Sequence, residues 1–95
     1  MDDIGLLIEG RATAAAAGAT FERRSPVDDS VVTRAPAARA ADAVAAADAA
    51  AAAFPAWSKL GPTPRRKLLL KAADLMESRA PDFARLSTAE TGSTT

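Results

Sequence analysis

Apolar and polar positions follow different patterns in the two halves of the chain. Within residues 1–35, short apolar or β-branched runs alternate with turn residues, a pattern typical of short strands. The runs are Leu6–Ile8, Thr20–Arg24 and Val31–Thr33. Turn residues such as Gly10 and Asp28–Ser30 separate them. The pattern predicts three short strands that form a β-hairpin plus one further strand.

Residues 39–92 carry a helical pattern instead. Ala40–Ala53 is almost entirely alanine, the residue with the highest helix propensity. Arg39 stands where an N-cap Ser, Thr, Asp or Asn is expected, whereas Asp42 lies in the first turn, where its charge suits the helix dipole. Pro55 is predicted to end this first helix, because proline lacks the N–H of a helix interior.

Two further helices are predicted after Pro55. The second begins at Pro64, with Thr63 as its N-cap, and runs to about Arg79. The third begins at Pro81 and ends with Gly92 as its C-cap. The chain is therefore an α+β fragment, with three strands followed by three helices.

The second predicted helix is amphipathic, with one irregularity. Its apolar stripe has helical spacing and consists of Leu68, Leu69, Ala72, Ala73, Leu75 and Met76. Leu70 falls on the opposite face, among charged and polar side chains. A helix that presents apolar residues on both sides requires packing partners that these residues do not supply.

Composition limits both the core and the chemistry. Of 95 residues, 26 are alanine, and Leu, Ile, Val and Phe together number 17, or about 18%, which is low for an independently folding chain. The absence of cysteine and histidine excludes a disulfide, a thiolate nucleophile and an imidazole base or zinc ligand in this chain. With a net charge of zero, the chain has no excess of positive charge that would attract nucleic acid or an anionic membrane.

The candidate functional residues each have a structural interpretation that we favour. The carboxylate pairs Asp2/Asp3, Asp28/Asp29 and Asp42/Asp48 are interpreted as solvated turn or helix-surface groups rather than acid–base pairs. Arg65–Lys67 could bind phosphate, but a solvated helix face is favoured. Trp57 could stack on a ligand, but an aromatic plug between two helices is favoured. Gly92–Thr94 follows a helix rather than a strand, unlike a nucleotide-binding turn.

The start of the chain bears on its location. Asp2 and Asp3 make it acidic, where a secretory signal or transit peptide is basic or acid-poor. The apolar run at residues 4–8 is far shorter than the ~20 residues that span a bilayer. We therefore expect a cytoplasmic protein that makes no contact with a membrane or nucleic acid.

The order of the motifs resembles the opening of the NAD(P)-dependent aldehyde dehydrogenase family. The matching stretches cover essentially the whole chain: Leu6–Arg11, Gly18–Glu22, Ser25–Pro26, Val31–Val32, Ala40–Ala47, Ala53–Trp57, Arg65–Glu77 and Glu90–Gly92. Gly61–Pro62 and Arg79–Phe83, on either side of the Arg-Arg-Lys-Leu-Leu-Leu run, resemble the branch that acts on aromatic aldehydes such as salicylaldehyde and vanillin. Each stretch is weak alone, but their joint order and spacing are specific.

The resemblance implies that residues 1–95 are the N-terminal fragment, roughly a fifth, of an enzyme with the α/β aldehyde dehydrogenase fold. Residues 1–35 would be its first strands and turns, and residues 39–92 would be helices associated with the cofactor-binding domain. The complete enzyme would oxidise an aromatic aldehyde to a carboxylate with NAD or NADP and would form a homo-oligomer.

The family's reaction uses a cysteine thiolate that attacks the aldehyde, and a glutamate that activates water. This chain has no cysteine, so we assign it no catalytic, cofactor-binding or metal-binding residue and expect it to be inactive and to fold poorly alone. Its partner would be the rest of the dehydrogenase chain. The alternative is a truncated, non-enzymatic product, or a helical module that binds a partner through Leu68–Met76.

Overall fold

Five short strands and three helices follow one another along residues 2–94, which the computed structural model describes. The strands are β1 (Asp2–Asp3), β2 (Leu6–Ile8), β3 (Arg11–Thr13), β4 (Thr20–Arg24) and β5 (Val31–Pro36). The helices are α1 (Ala40–Ser58), α2 (Pro62–Ser78) and α3 (Ala80–Thr91). The predicted α+β order, strands first and three helices after, is confirmed.

The strands form two separate small sheets. In the first, β5 lies between β1 and β4, parallel to β1 and antiparallel to β4. In the second, β2 and β3 form an antiparallel hairpin that pairs Leu6 with Thr13 and Ile8 with Arg11. The sequence predicted β2, β4 and the start of β5, whereas β1 and β3 were missed.

Backbone pairing, rather than side-chain pattern, accounts for the two missed strands. Glu9 and Gly10 both have positive φ angles, 54° and 72°, the geometry of a two-residue hairpin turn whose twist matches that of the flanking strands. This turn directs Arg11–Thr13 back along β2, although these residues show no apolar alternation. β1 consists of two aspartates, residues that are depleted in strands, and pairs with β5 beside Thr33 and Arg34.

The helices differ from the predicted bounds at two prolines. Pro55 lies inside α1, which continues to Ser58, so the prediction that Pro55 ends this helix is wrong. A proline near the C-terminus of a helix removes one hydrogen bond, and here the last turn keeps its helical geometry. α2 begins at Pro62, two residues before the predicted Pro64, with Gly61 rather than Thr63 at its N-cap.

Both ends of the α2–α3 region follow simple rules of helix termini. Pro62 and Pro64 fall in the first turn of α2, where N–H groups have no partner within the helix, so neither proline costs a hydrogen bond. Gly92 caps α3 with a φ of 75°, and its N–H donates to the carbonyl of Thr88 at 2.8 Å. The predicted C-cap is therefore confirmed.

Very little of the chain is buried. Among residues 3–94 only Ala15, Thr33 and Asp42 are buried, and Ala15 is the single hydrophobic residue of the three. The radius of gyration is 16.8 Å, against about 12 Å for a compact domain of this length. The sheets and helices therefore form an open arrangement 15 Å thick, without a hydrophobic core of their own.

The length and hydropathy of the helices bear on membrane insertion. Within residues 2–94, no helix combines the length and the apolar character needed to cross a membrane.

Candidate functional site

The paired carboxylates lie in different structural settings. Asp28 lies in the β4–β5 turn, where its Oδ1 accepts hydrogen bonds from the side chain and the backbone of Ser30, at 2.6 and 3.0 Å. Both bonds lower the pKa of Asp28 from its ordinary value, and the bond from the Ser30 hydroxyl has the larger effect. Asp29 adopts a positive φ of 60° in the same turn, and Asp48 is exposed on α1. The pair at residues 28–29 therefore shapes a turn and does not face a cleft.

Asp42 does not match its predicted setting. It is 8% exposed, so the interpretation of this carboxylate as a solvated helix-surface group is wrong. Its Oδ2 accepts the N–H of Arg39 at 2.9 Å, and its Oδ1 accepts the N–H of Ala16 at 2.8 Å. One carboxylate thus joins the start of α1 to the loop between β3 and β4.

The electrostatics of Asp42 follow from these two bonds. Backbone donors favour the ionised carboxylate, so the N–H of Arg39 and then that of Ala16 lower the pKa of Asp42. Arg39 has an extended backbone and is the N-cap residue of α1, while its side chain has no acceptor atom with which to cap the helix. Asp42, three residues later, supplies the reciprocal half of a capping box. The Arg-x-x-Asp spacing could have indicated this bond, but nothing in the sequence indicated the link to Ala16.

Arg65 forms the contact between α1 and α2. Its Nη2 donates to the carbonyl oxygens of Ser58 at 2.9 Å and of Trp57 at 3.3 Å, at the C-terminal end of α1. Its guanidinium carbon lies 5.7 Å from the centroid of the Trp57 ring, within the range of a cation–π interaction. The guanidinium therefore meets the negative end of the α1 dipole.

These contacts revise the interpretation of the basic cluster. Arg65 is half-buried and engaged with α1, whereas Arg66 and Lys67 are exposed, as expected for a solvated helix face. Trp57 lies in the last turn of α1, not in the segment between the helices, and remains 40% exposed. It contacts the helix junction as predicted, but it does not fill a closed space between two helices.

The Gly92–Thr94 stretch packs near a turn rather than opening a phosphate site. A Cβ atom placed on Gly92 would lie 3.3 Å from Pro26 and 3.4 Å from Val27, so the end of α3 lies close to the β4–β5 turn. Within the described range no helix follows Gly92 to offer backbone N–H groups to a phosphate. Its setting is that of a helix cap.

An open groove of about 410 Å³ lies between the two sheets. Its walls are mostly alanine, glycine and threonine, with Asp3 and Arg34 as the charged members. Ligand pockets usually combine larger apolar or aromatic walls with a few converging polar groups. In the part of the chain that the structure covers, no cluster of three His, Cys, Asp or Glu residues could hold a metal ion. The groove therefore gives no basis for assigning a ligand.

A further candidate surface, on α2, is apolar and exposed. Leu68, Leu69, Leu75 and Met76, which with Ala72 and Ala73 we call the apolar face of α2, are between 48% and 63% exposed. Leu70, on the polar side of the helix, is 50% exposed. Exposed apolar areas mark contacts with another protein or a membrane, ligand-binding grooves or aggregation-prone surfaces.

A protein-family model and a related enzyme each match most of this chain. The model of the aldehyde dehydrogenase family matches residues 13–95. Vanillin dehydrogenase from a Pseudomonas species is 48% identical over 92 residues, which is 97% of this chain and 19% of that enzyme. The chain thus spans about a fifth of the length of this relative.

Solved structures give the same correspondence in three dimensions. The crystal structure of a salicylaldehyde dehydrogenase from Pseudomonas putida, complexed with salicylaldehyde, superposes on this chain with a TM-score of 0.95 and 39% sequence identity. The matched region is 99% of this chain and 19% of the salicylaldehyde dehydrogenase chain. PnpE in complex with nicotinamide adenine dinucleotide has a TM-score of 0.86 and 45% identity over 96% of this chain and 18% of its own. The chain belongs to the aldehyde dehydrogenase family.

Proposed function

We propose that residues 1–95 form the N-terminal part of an enzyme that oxidises an aromatic aldehyde to a carboxylate with NAD or NADP. The observation that carries this proposal is the match in order and shape along 99% of the chain to the salicylaldehyde dehydrogenase. The 48% identity to a vanillin dehydrogenase supports the aromatic class of substrate.

The role of this segment within the enzyme is structural. The reaction requires a thiolate, and the chain has no cysteine. Its residues also do not fit a dinucleotide, because the described part contains no strand followed by a glycine-rich turn and a helix. We therefore place the aldehyde and the cofactor on later residues of the enzyme and assign no site to this segment.

The exposed apolar residues indicate how the segment joins the rest of the enzyme. Thirteen large hydrophobic side chains of the described residues are exposed, on the sheets as well as on the helices. Burying them against the remaining four-fifths of the dehydrogenase would supply the core that the segment lacks. The partner of this surface is therefore the rest of the dehydrogenase chain.

A chimera tests the proposal directly. Residues 1–95 would replace the corresponding first fifth of the Pseudomonas putida salicylaldehyde dehydrogenase, and NAD-dependent oxidation of salicylaldehyde would be measured by cofactor absorbance. We expect activity close to that of the parent enzyme, with an enzyme lacking the segment altogether as the control. A soluble chimera without activity would contradict the proposal.

The alternative, a truncated product or helical partner-binding module, uses the same apolar face of α2. The mass of the product in its native cell separates the two functions. A band about five times larger than this chain, as its 19% coverage of the relative implies, supports the enzyme. A band at 9.7 kDa would instead support the separate module.

The location and assembly of the complete enzyme remain predictions. Cell fractionation followed by immunoblotting tests the predicted cytoplasmic location. The predicted homo-oligomer is tested by light scattering on the purified complete enzyme, where a monomer mass would contradict it.

A further inference from the structure

We draw no further inference here: the strongest candidate, the exposed apolar face of α2 formed by Leu68, Leu69, Leu75 and Met76, carries nothing beyond the proposed function, because nothing in the structure shows what else covers it.

Discussion

Replacing Arg65 with methionine should loosen the junction of α1 and α2. Methionine keeps an apolar stem but loses the donors to the Ser58 and Trp57 carbonyls and the charge over the Trp57 ring. A hydrogen bond from a charged group contributes about 1.5 kcal/mol at the low end of its range, and an exposed cation–π contact adds about 0.5 kcal/mol. We count one full bond, because the second is long at 3.3 Å. The expected loss is about 2 kcal/mol. This corresponds to roughly 30-fold in the equilibrium between the state in which Arg65 contacts α1 and the state in which it does not.

Tryptophan fluorescence measures this loss selectively. Trp57 is the only tryptophan, and the chain has no tyrosine, so its emission reports on the junction alone. The contact spans eight residues, so it does not depend on a distant core. In the Arg65→Met variant we expect red-shifted emission and stronger acrylamide quenching than in the parent, with Arg65→Lys between them.

The matched control is Arg66→Met, which removes the neighbouring, exposed charge and should leave the emission of Trp57 unchanged. Equal quenching in the Arg65→Met and Arg66→Met variants would refute the reasoning. So would a parent chain whose Trp57 is quenched as strongly in buffer as in concentrated denaturant.

Three further predictions concern the sheets, the start of α1 and the exposed helix face. Gly5→Ala places a Cβ atom 2.8 Å from the Cβ of Ala12 and 3.2 Å from its backbone carbons, so the chimera should lose about 1–3 kcal/mol. The loss should exceed that of Gly61→Ala, where φ is −71° and the new methyl meets only Pro64, at an ordinary contact distance of 3.9 Å. Heat-inactivation midpoints compare the two, and equal midpoints would contradict the clash. Because backbone donors lower the pKa of Asp42 from 3.8, its stabilising effect is present above about pH 3.8 and lost as the pH falls through the lower folded-state pKa. Circular dichroism of the 95-residue chain should therefore show more helix in the parent than in the Asp42→Asn variant at neutral pH. A difference that persists in strong acid would argue against a role for the bonds of the ionised Asp42 carboxylate. Leu69→Asp should destabilise the chimera by about 1–2 kcal/mol, because the 63% of the Leu69 side chain that is exposed here is covered by the remaining dehydrogenase in the chimera. The helix content of the isolated chain should stay nearly unchanged. A chimera of unchanged stability would mean that Leu69 remains in water.

The sequence predicts the order of elements well because that order depends on local signals. The alanine tract of α1, the prolines in the first turns of α2 and α3 and the cap at Gly92 each act within a few residues. The same locality explains the error at Pro55, since a proline disturbs only the backbone of the turn that precedes it, and α1 continues for three more residues to Ser58.

The features that the sequence did not predict depend on contacts between distant segments. β1 exists through pairing with β5, about thirty residues away. The bond from Ala16 to Asp42 spans 26 residues, so a side chain that favours the helix dipole locally is also a link to a loop. The contact of Arg65 with α1 spans only seven residues, but it also could not be predicted, because it requires the junction of the two helices to be formed.

The candidate surface could be predicted in kind but not in extent. The position of Leu70 among polar residues indicated a second covered side of α2, and the structure shows both sides exposed. That the sheets carry exposed apolar side chains as well, including Leu7 and Phe21, did not follow from the pattern. The alternation of apolar and polar residues along a short strand does not by itself reveal whether a second layer packs against that strand.

The proposed dependence of this segment on the rest of a dehydrogenase chain is tested most directly by calorimetry of the isolated 95-residue chain, combined with sedimentation to establish its mass. With Ala15 as the one buried hydrophobic residue among those described, the account predicts no cooperative heat-absorption peak for the monomer. A single cooperative transition at the monomer mass of 9.7 kDa would contradict it, because the segment would then fold without the covering chain.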